Sequence, residues 1–219
     1  MEIVHGLHAV RLLGSKSYLI VDRELTLVDA GLRGSTPLLR WYLTRLGRSI
    51  GDITRIVCTH GHPDHIGGVH ELAALSGAEV LLHPADTERL RQTTLREVVQ
   101  RPLAGSVVAL LTRPPDDPHP LGDGDVLPVL GGLEVVHTPG HTPGSVCLYA
   151  REHRLLIVGD VLQVIRGRLS LPSHLFTEDM PAARRSIARL ADLDIDTLCF
   201  SHFPAWQGGV REALRAIAA

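Results

Sequence analysis

The chain has 219 residues, a formal net charge of −2 and 44% hydrophobic residues, which is typical of a single soluble domain of roughly 100–250 residues. This composition excludes an intrinsically disordered chain, a collagen-like chain and a coiled coil. The near-neutral charge, with Lys16 as the only lysine, argues against a protein that binds nucleic acid.

Short apolar runs separated by turn residues outline the first half of the chain. Strands are predicted at 4–13, 18–21, 25–28, 53–58 and 80–83, and helices at 37–46 and 66–75. Residues 60–65 are predicted to form a polar loop. Residues 85–111 are compatible with a helix, and the four prolines within 113–120 predict a loop. We interpret 84–120 as a helical lid or insertion.

The second half repeats the progression from strands to helices. Strands are predicted at 125–130, 133–137, 145–149, 155–158 and 197–200, and helices at 179–190 and 210–217. Two such halves predict an α/β fold, a four-layer αβ/βα sandwich with two mixed β-sheets. The whole chain, 1–219, is expected to form a single domain.

The cysteines indicate where the protein is located. Cys58, Cys147 and Cys199 lie far apart in apolar segments, which predicts buried reduced thiols in a cytoplasmic protein. The sequence has no apolar run of ~18 residues, the length of a membrane span, and its N-terminus lacks the charged region of a signal peptide. We therefore expect no membrane association.

Several of the 13 histidines cluster directly after the strand predicted at 53–58. The segment is Thr59-His60-Gly61-His62-Pro63-Asp64-His65. His60 and His62 are two positions apart and can converge on one cation, while Asp64 and His65 can reach a second cation beside it. Neutral imidazole and carboxylate groups suit zinc, iron or manganese.

Three further donors follow predicted strands or turns. His141 lies between two Pro-Gly turns, whereas Asp160 and His202 each follow an apolar strand. Binding sites are commonly built in loops at one edge of a sheet, so we expect these side chains to contribute to one site.

These segments resemble the metallo-β-lactamase-fold hydrolases. The resemblance rests on the segments 28–31 (VDAG), 59–68 (THGHPDHIGG), 138–145 (TPGHTPGS) and 159–160 (GD), and on His202. They occur in the order found in the family and extend over nearly the whole chain. The string His-x-His-x-Asp-His, followed downstream by His, Asp and His, is highly specific.

The resemblance implies two divalent metal ions per chain, with zinc preferred and iron or manganese compatible with the same ligands. The implied ligands are His60, His62 and His141 for the first metal, Asp64, His65 and His202 for the second, and Asp160 as a bridge between both. Asp29 would support these ligands from behind. Phe203, at a position where the family usually has a glycine, is expected to narrow the second site.

The resemblance also implies the reaction. Two cations about 3.5–4 Å apart would share a hydroxide that attacks the carbonyl carbon of a thioester, a lactone or a related compound. Asp64 would both bind metal and orient this nucleophile. The segment 137–145 is similar to that of the glyoxalase II-like and lactonase-like branch, whereas Asp160 occupies a position where dizinc β-lactamases have a cysteine.

Other functions stay open. A mononuclear iron oxygenase resembling persulfide dioxygenase, a phosphodiesterase and a metal-stabilised binding scaffold would use the same donors. The expected partner is a small-molecule substrate, and a homodimer is compatible with the sequence. Arg166, Arg168 and His174 are candidate substrate contacts, and apolar residues within 165–176 are a candidate entrance for an acyl chain.

Overall fold

The computed structural model describes residues 1–92 and 112–218. The chain divides into two compact units, Met1–Pro120 and Leu121–Ala219. Each unit contains a mixed β-sheet and its own hydrophobic core. The prediction of a single domain stays a prediction, and the greater part of the helix-compatible segment, 93–111, lies outside the described residues.

The first unit consists of seven strands and four helices among its described residues. The strands are β1 (Glu2–Val4), β2 (Leu7–Arg11), β3 (Lys16–Val21), β4 (Leu25–Val28), β5 (Ile53–Val57), β6 (Glu79–Leu82) and β7 (His119–Pro120). The helices are α1 (Thr36–Arg45), α2 (Pro63–Ile66), α3 (Val69–Ser76) and α4 (Pro84–Gln92).

The strand directions in the first sheet determine where polar side chains meet. The strands follow the order β1 to β7, antiparallel from β1 to β4 and parallel from β4 to β7. Because β4, β5 and β6 run parallel, the segments that follow their carboxyl ends emerge at the same edge of the sheet. Below this edge, Leu, Ile and Val side chains form the core, among them the fully buried Leu27, Ile56 and Leu82.

The second unit has a six-stranded sheet, a separate hairpin and two helices. Its elements are β8 (Val126–Leu127), β9 (Leu133–His137), β10 (Val146–Ala150), β11 (Leu155–Gly159), β12 (Gln163–Ile165), β13 (Arg168–Ser170), α5 (Met180–Leu190), β14 (Thr197–Phe200), β15 (Trp206–Gln207) and α6 (Val210–Ala218). The sheet order is β15-β14-β11-β10-β9-β8, with β11 and β14 parallel. The strands β12 and β13 pair with each other.

The structure differs from the sequence predictions at several turns. The strand predicted at 4–13 is split at Gly6, whose φ of +80° allows the chain to reverse into the β1–β2 hairpin. The loop predicted at 113–120 ends in β7, and Pro120 at this sheet edge needs no amide donor. The hairpin at 163–170 was not predicted, because its strands are only three residues long.

The described part of the chain contains no helix with both the length and the apolar character that a bilayer crossing requires.

Candidate metal centre

Two histidines converge directly after β5. His60 is buried and His62 is half-buried, and Nε2 of His60 lies 3.1 Å from Nδ1 of His62. Gly61 between them is buried, and its N–H donates to the buried carboxylate of Asp86 in α4. The outer nitrogen of the His62 ring, Nε2, lies 3.3 Å from Nη2 of Arg89, also in α4. One nitrogen of each ring therefore faces a common point.

Asp64 and His65 follow in the single helical turn of α2, where a polar loop was predicted. Pro63 occupies the first turn of this helix and fixes a backbone angle suited to it. His65 is completely buried, and its Nε2 lies 3.6 Å from Oδ2 of Asp64, a side chain that retains 30% exposure. The two side chains thus present a nitrogen and an oxygen on the same side of α2.

Asp29, which follows β4, orients both groups of donors. Its carboxylate accepts the Thr59 N–H and the Thr59 hydroxyl at 2.8 Å each, and it is 2.8 Å from Nδ1 of His65. The same hydroxyl lies 3.1 Å from Nδ1 of His60. Asp29 has a φ of +60°, which is rare for a residue other than glycine and is typical of constrained functional positions. A histidine whose Nδ1 donates to a carboxylate presents Nε2 as its metal-binding atom.

The second unit has its own cluster of donors. His141 is buried in the loop between β9 and β10, Asp160 follows β11, and His202 follows β14. One atom of Asp160, Oδ2, lies 3.7 Å from Nε2 of His141 and 3.2 Å from Nε2 of His202. Asp160 and His202 meet because β11 and β14 are parallel neighbours.

Backbone contacts hold the His141 loop against the segment that precedes α5. The N–H groups of Glu178 and Asp179 both donate to the Gly140 carbonyl, and the Thr177 hydroxyl lies 3.4 Å from Nδ1 of His141. His141 thus has an oxygen partner on Nδ1, as His60 has in the first unit, and its Nε2 faces Asp160.

Phe203 does not have the position expected from the sequence. Its ring packs edge-to-face on Phe200, with centroids 6.0 Å apart, and against the core of the second unit. A side chain that packs into the core is not available to narrow a metal site, so this expectation was wrong.

The candidate substrate contacts lie on exposed segments of the second unit. Arg166 is at the turn of the β12–β13 hairpin, Arg168 is in β13, and His174 is in the loop before α5. All three are exposed. They stay predictions, because the structure gives them no partner that defines a substrate.

The cysteines are structural. Cys58, Cys147 and Cys199 are all buried, as expected. Burial raises the pKa of the Cys147 thiol to about 12, and burial, together with the charges of Asp29 and Asp86, raises the pKa of Cys58 well above its usual range. Thiols that stay protonated are poor metal ligands and poor nucleophiles.

Asp86 and Arg89 were missed in the sequence analysis, although a signal for them existed. The segments after β4 and β5 provide Asp29 and His60, and β6 ends at the same edge of the sheet. A polar residue shortly after β6 could therefore have been included among the candidates.

Comparisons with known proteins agree with this arrangement. The family model for the metallo-beta-lactamase superfamily matches residues 10–202. A solved metallo-beta-lactamase family protein from Thermus thermophilus superposes with a TM-score of 0.81 at 28% identity, covering 98% of this chain and 78% of that one. The predicted α/β sandwich with two mixed sheets is thereby confirmed.

Two characterised relatives are similar in sequence. A hydroxyacylglutathione hydrolase from Pseudomonas paraeruginosa is 35% identical over 80% of this chain, and an acyl-coenzyme A thioesterase from Gallus gallus is 41% identical over 48% of it. An uncharacterized protein from Aquifex aeolicus is 36% identical over 67% of this chain. The chain spans 55%, 40% and 65% of the length of these three relatives, respectively.

Proposed function

We propose that this chain, which belongs to the metallo-beta-lactamase superfamily, is a dinuclear metal-dependent hydrolase that acts on a thioester or a related activated carbonyl compound. Relatives named as metallo-hydrolases support hydrolysis in general. The observation that supports the proposal most directly is the pairing of donor atoms within each unit, since imidazole nitrogens and carboxylate oxygens face one another at 3.1–3.7 Å.

The donor chemistry fits two divalent metal ions, and we propose zinc. Nitrogen and oxygen donors of this kind hold zinc in catalytic sites, and each buried histidine of the set has an oxygen partner at Nδ1. The proposed ligands are His60, His62 and His141 for the first metal, Asp64, His65 and His202 for the second, and Asp160 for both. When bound, such metals supply a Lewis acid that acidifies water and polarises a carbonyl group.

The side chains of the chain itself would position the reactants. Asp64 is the donor with the best combination of solvent access and proximity to the cluster, so its Oδ2 would accept a proton from the attacking water and hold that water in line. Asp29 and Thr59 would keep the rings of His65 and His60 in the orientation that presents Nε2. Asp160 would compensate cationic charge near His141 and His202.

A thioester with an apolar acyl group is the substrate that we propose. Leu175 and Phe176 are 75% and 60% exposed, and they immediately precede Thr177, which contacts His141. Large apolar side chains held beside a proposed metal ligand can bind an acyl chain. The names of two relatives, an acyl-coenzyme A thioesterase and a hydroxyacylglutathione hydrolase, support the same class of substrate.

Metal content and thioester turnover test this proposal together. We expect about two equivalents of zinc per chain in protein purified without chelator, measured by elemental analysis. With acyl-coenzyme A esters, released thiol should be detectable with a chromogenic disulfide. His62→Ala should lose activity and the first metal, and Asp64→Ala should lose most of its turnover.

The control is His153→Ala, which removes a histidine from the second unit outside the donor clusters and should leave both readouts unchanged. Absence of thioester, ester and lactone hydrolysis at full metal occupancy would contradict a hydrolase. A single equivalent of iron with oxygen uptake on a persulfide would replace the proposal by the oxygenase. Near-normal turnover of metal-loaded Asp64→Ala would refute the role given to Asp64.

A further inference from the structure

Helix α4 contacts the loop that contains the first two proposed metal ligands. A Cβ atom built on Gly61 would lie 3.2 Å from Oδ2 of Asp86 and 3.3 Å from Cδ1 of Leu90. Gly61 therefore allows α4 to approach the backbone between His60 and His62 more closely than another residue would. The position of this peptide determines the directions of both histidine side chains.

Asp86 is the polar side chain that α4 directs at this peptide. It is 0% exposed, and its Oδ2 accepts the N–H of Gly61. Burying a carboxylate costs several kcal/mol unless nearby positive charge or hydrogen-bond donors compensate it. A neutral side chain could accept the same hydrogen bond, so the burial of a carboxylate here requires a further explanation.

We propose that Asp86 is a positioning residue for the first metal: its carboxylate holds the Gly61 peptide so that Nε2 of His60 and Nδ1 of His62 converge, and it adds negative charge behind a cation bound there. This inference rests on the proposed metal-dependent function. Groups that orient metal ligands commonly change metal affinity by about 10–100-fold when they are removed, and we expect a loss within this range here.

The distance between the two nitrogens, 3.1 Å, is the feature that Asp86 would maintain. Without an acceptor for its N–H, the Gly61 peptide could rotate, and the rotation would separate the two rings. Leu90 contacts the same glycine from the same helix but offers only apolar packing. The two side chains of α4 thus allow the polar and the packing contributions to be separated.

The experiment measures cobalt(II) binding to the full-length, chelator-treated protein, with the visible d–d spectrum as a report on ligand geometry. For Asp86→Ala we expect affinity for the first cobalt equivalent to fall about 10–100-fold, with altered d–d bands. Asp86→Asn, whose amide oxygen can still accept from Gly61, should recover part of the affinity and restore the band positions. Leu90→Ala should lower the urea midpoint but keep wild-type cobalt affinity and spectrum.

The outcomes separate the two proposals. If wild-type protein binds no cobalt, the proposed function fails and this inference fails with it. If wild-type protein binds cobalt and Asp86→Ala binds it equally well, only the role of Asp86 is overturned. The role is also overturned if Leu90→Ala loses as much affinity as Asp86→Ala, because stability alone would then explain the loss.

A second variant keeps the test decisive if Asp86→Ala does not fold. Asp86→Glu retains the charge and displaces the carboxylate by one methylene group. We expect it to lower cobalt affinity and to shift the d–d bands, since the Gly61 peptide would move with its acceptor. A wild-type affinity and spectrum for Asp86→Glu would overturn the proposal.

Discussion

Replacing Asp29 by asparagine would change the hydrogen bonding of His65 while preserving the shape of the side chain. Asparagine tolerates the φ of +60° found at this position, so backbone strain should not increase. Its carbonyl oxygen can still accept the Thr59 N–H, as Oδ1 does in the wild type. Its NH₂ group then replaces Oδ2, which in the wild type lies 2.8 Å from both the Thr59 hydroxyl and Nδ1 of His65.

An NH₂ group cannot accept a proton, so Nδ1 of His65 would have to become the acceptor. The ring proton would then reside on Nε2, and a protonated Nε2 cannot bind a metal. Hydrogen bonds to a charged group contribute about 1.5–3 kcal/mol each, and both partners of Oδ2 can reorient to accept, so we expect a net loss of about 1.5–3 kcal/mol of stability. Affinity for the metal at His65 should fall about 10–100-fold.

Two measurements on chelator-treated Asp29→Asn protein check these values. Urea denaturation gives the free energy of unfolding, and competition against a chromophoric chelator gives the affinity for each zinc equivalent. Asp52→Asn is the matched control, because the Asp52 carboxylate also accepts a backbone N–H, from Ser49 at 2.7 Å, but lies outside the donor cluster. Wild-type affinity for both zinc equivalents in Asp29→Asn would refute the reasoning.

Other regions of the chain give three further predictions. Gly140→Ala would place a Cβ over the backbone of Ala183 at a φ of +141°, so unfolding free energy should fall by about 3 kcal/mol or more, whereas Gly124→Ala, at a φ of +82° with open space around it, should lose only about 1–2 kcal/mol in the same urea titration. Equal losses would contradict the packing argument. Cys147 should react with iodoacetamide at pH 8 at least about a thousandfold more slowly in folded than in unfolded protein, because its pKa of about 12 lies three units above the ordinary 9.0; rapid labelling in mass spectrometry would exclude this burial. Burial lowers the pKa of His8 below its ordinary 6.5, so its contribution to stability is complete above pH 6.5 and is lost as the pH falls below that value. Between pH 7.5 and 5 the urea midpoint should therefore decrease more for wild type than for His8→Gln, and parallel decreases would show that His8 is not responsible.

Much of the fold could be predicted because strand patterns are local. The strands at 25–28, 133–137 and 197–200 have the predicted bounds, since continuous apolar runs between turn residues leave few alternatives. The two-residue strands β7 and β15 could not be predicted, because pairing with a neighbour and not their own sequence makes them strands. The same applies to α2, a single helical turn that looks like a polar loop in the sequence.

The candidate site divides in the same way. The sequence by itself determined which residues offer donor atoms, because the string from His60 to His65 and the later His141, Asp160 and His202 have the chemistry of metal ligands wherever the chain places them. Which ring nitrogen each histidine presents was decided only by the tertiary structure. Asp29, Thr59 and Thr177 come from distant segments, and a histidine ring is oriented by the partner that its other nitrogen meets.

Asp86 is the clearest case of a residue that only the tertiary structure could identify. An aspartate in the first turn of a helix is ordinary in sequence, since it interacts favourably with the helix dipole at an exposed N-terminus. The parallel pairing of β5 with β6 instead brings this turn over Gly61 and buries the carboxylate. Donor identity is a property of single residues, whereas burial and orientation depend on segments that meet only when the sheet forms.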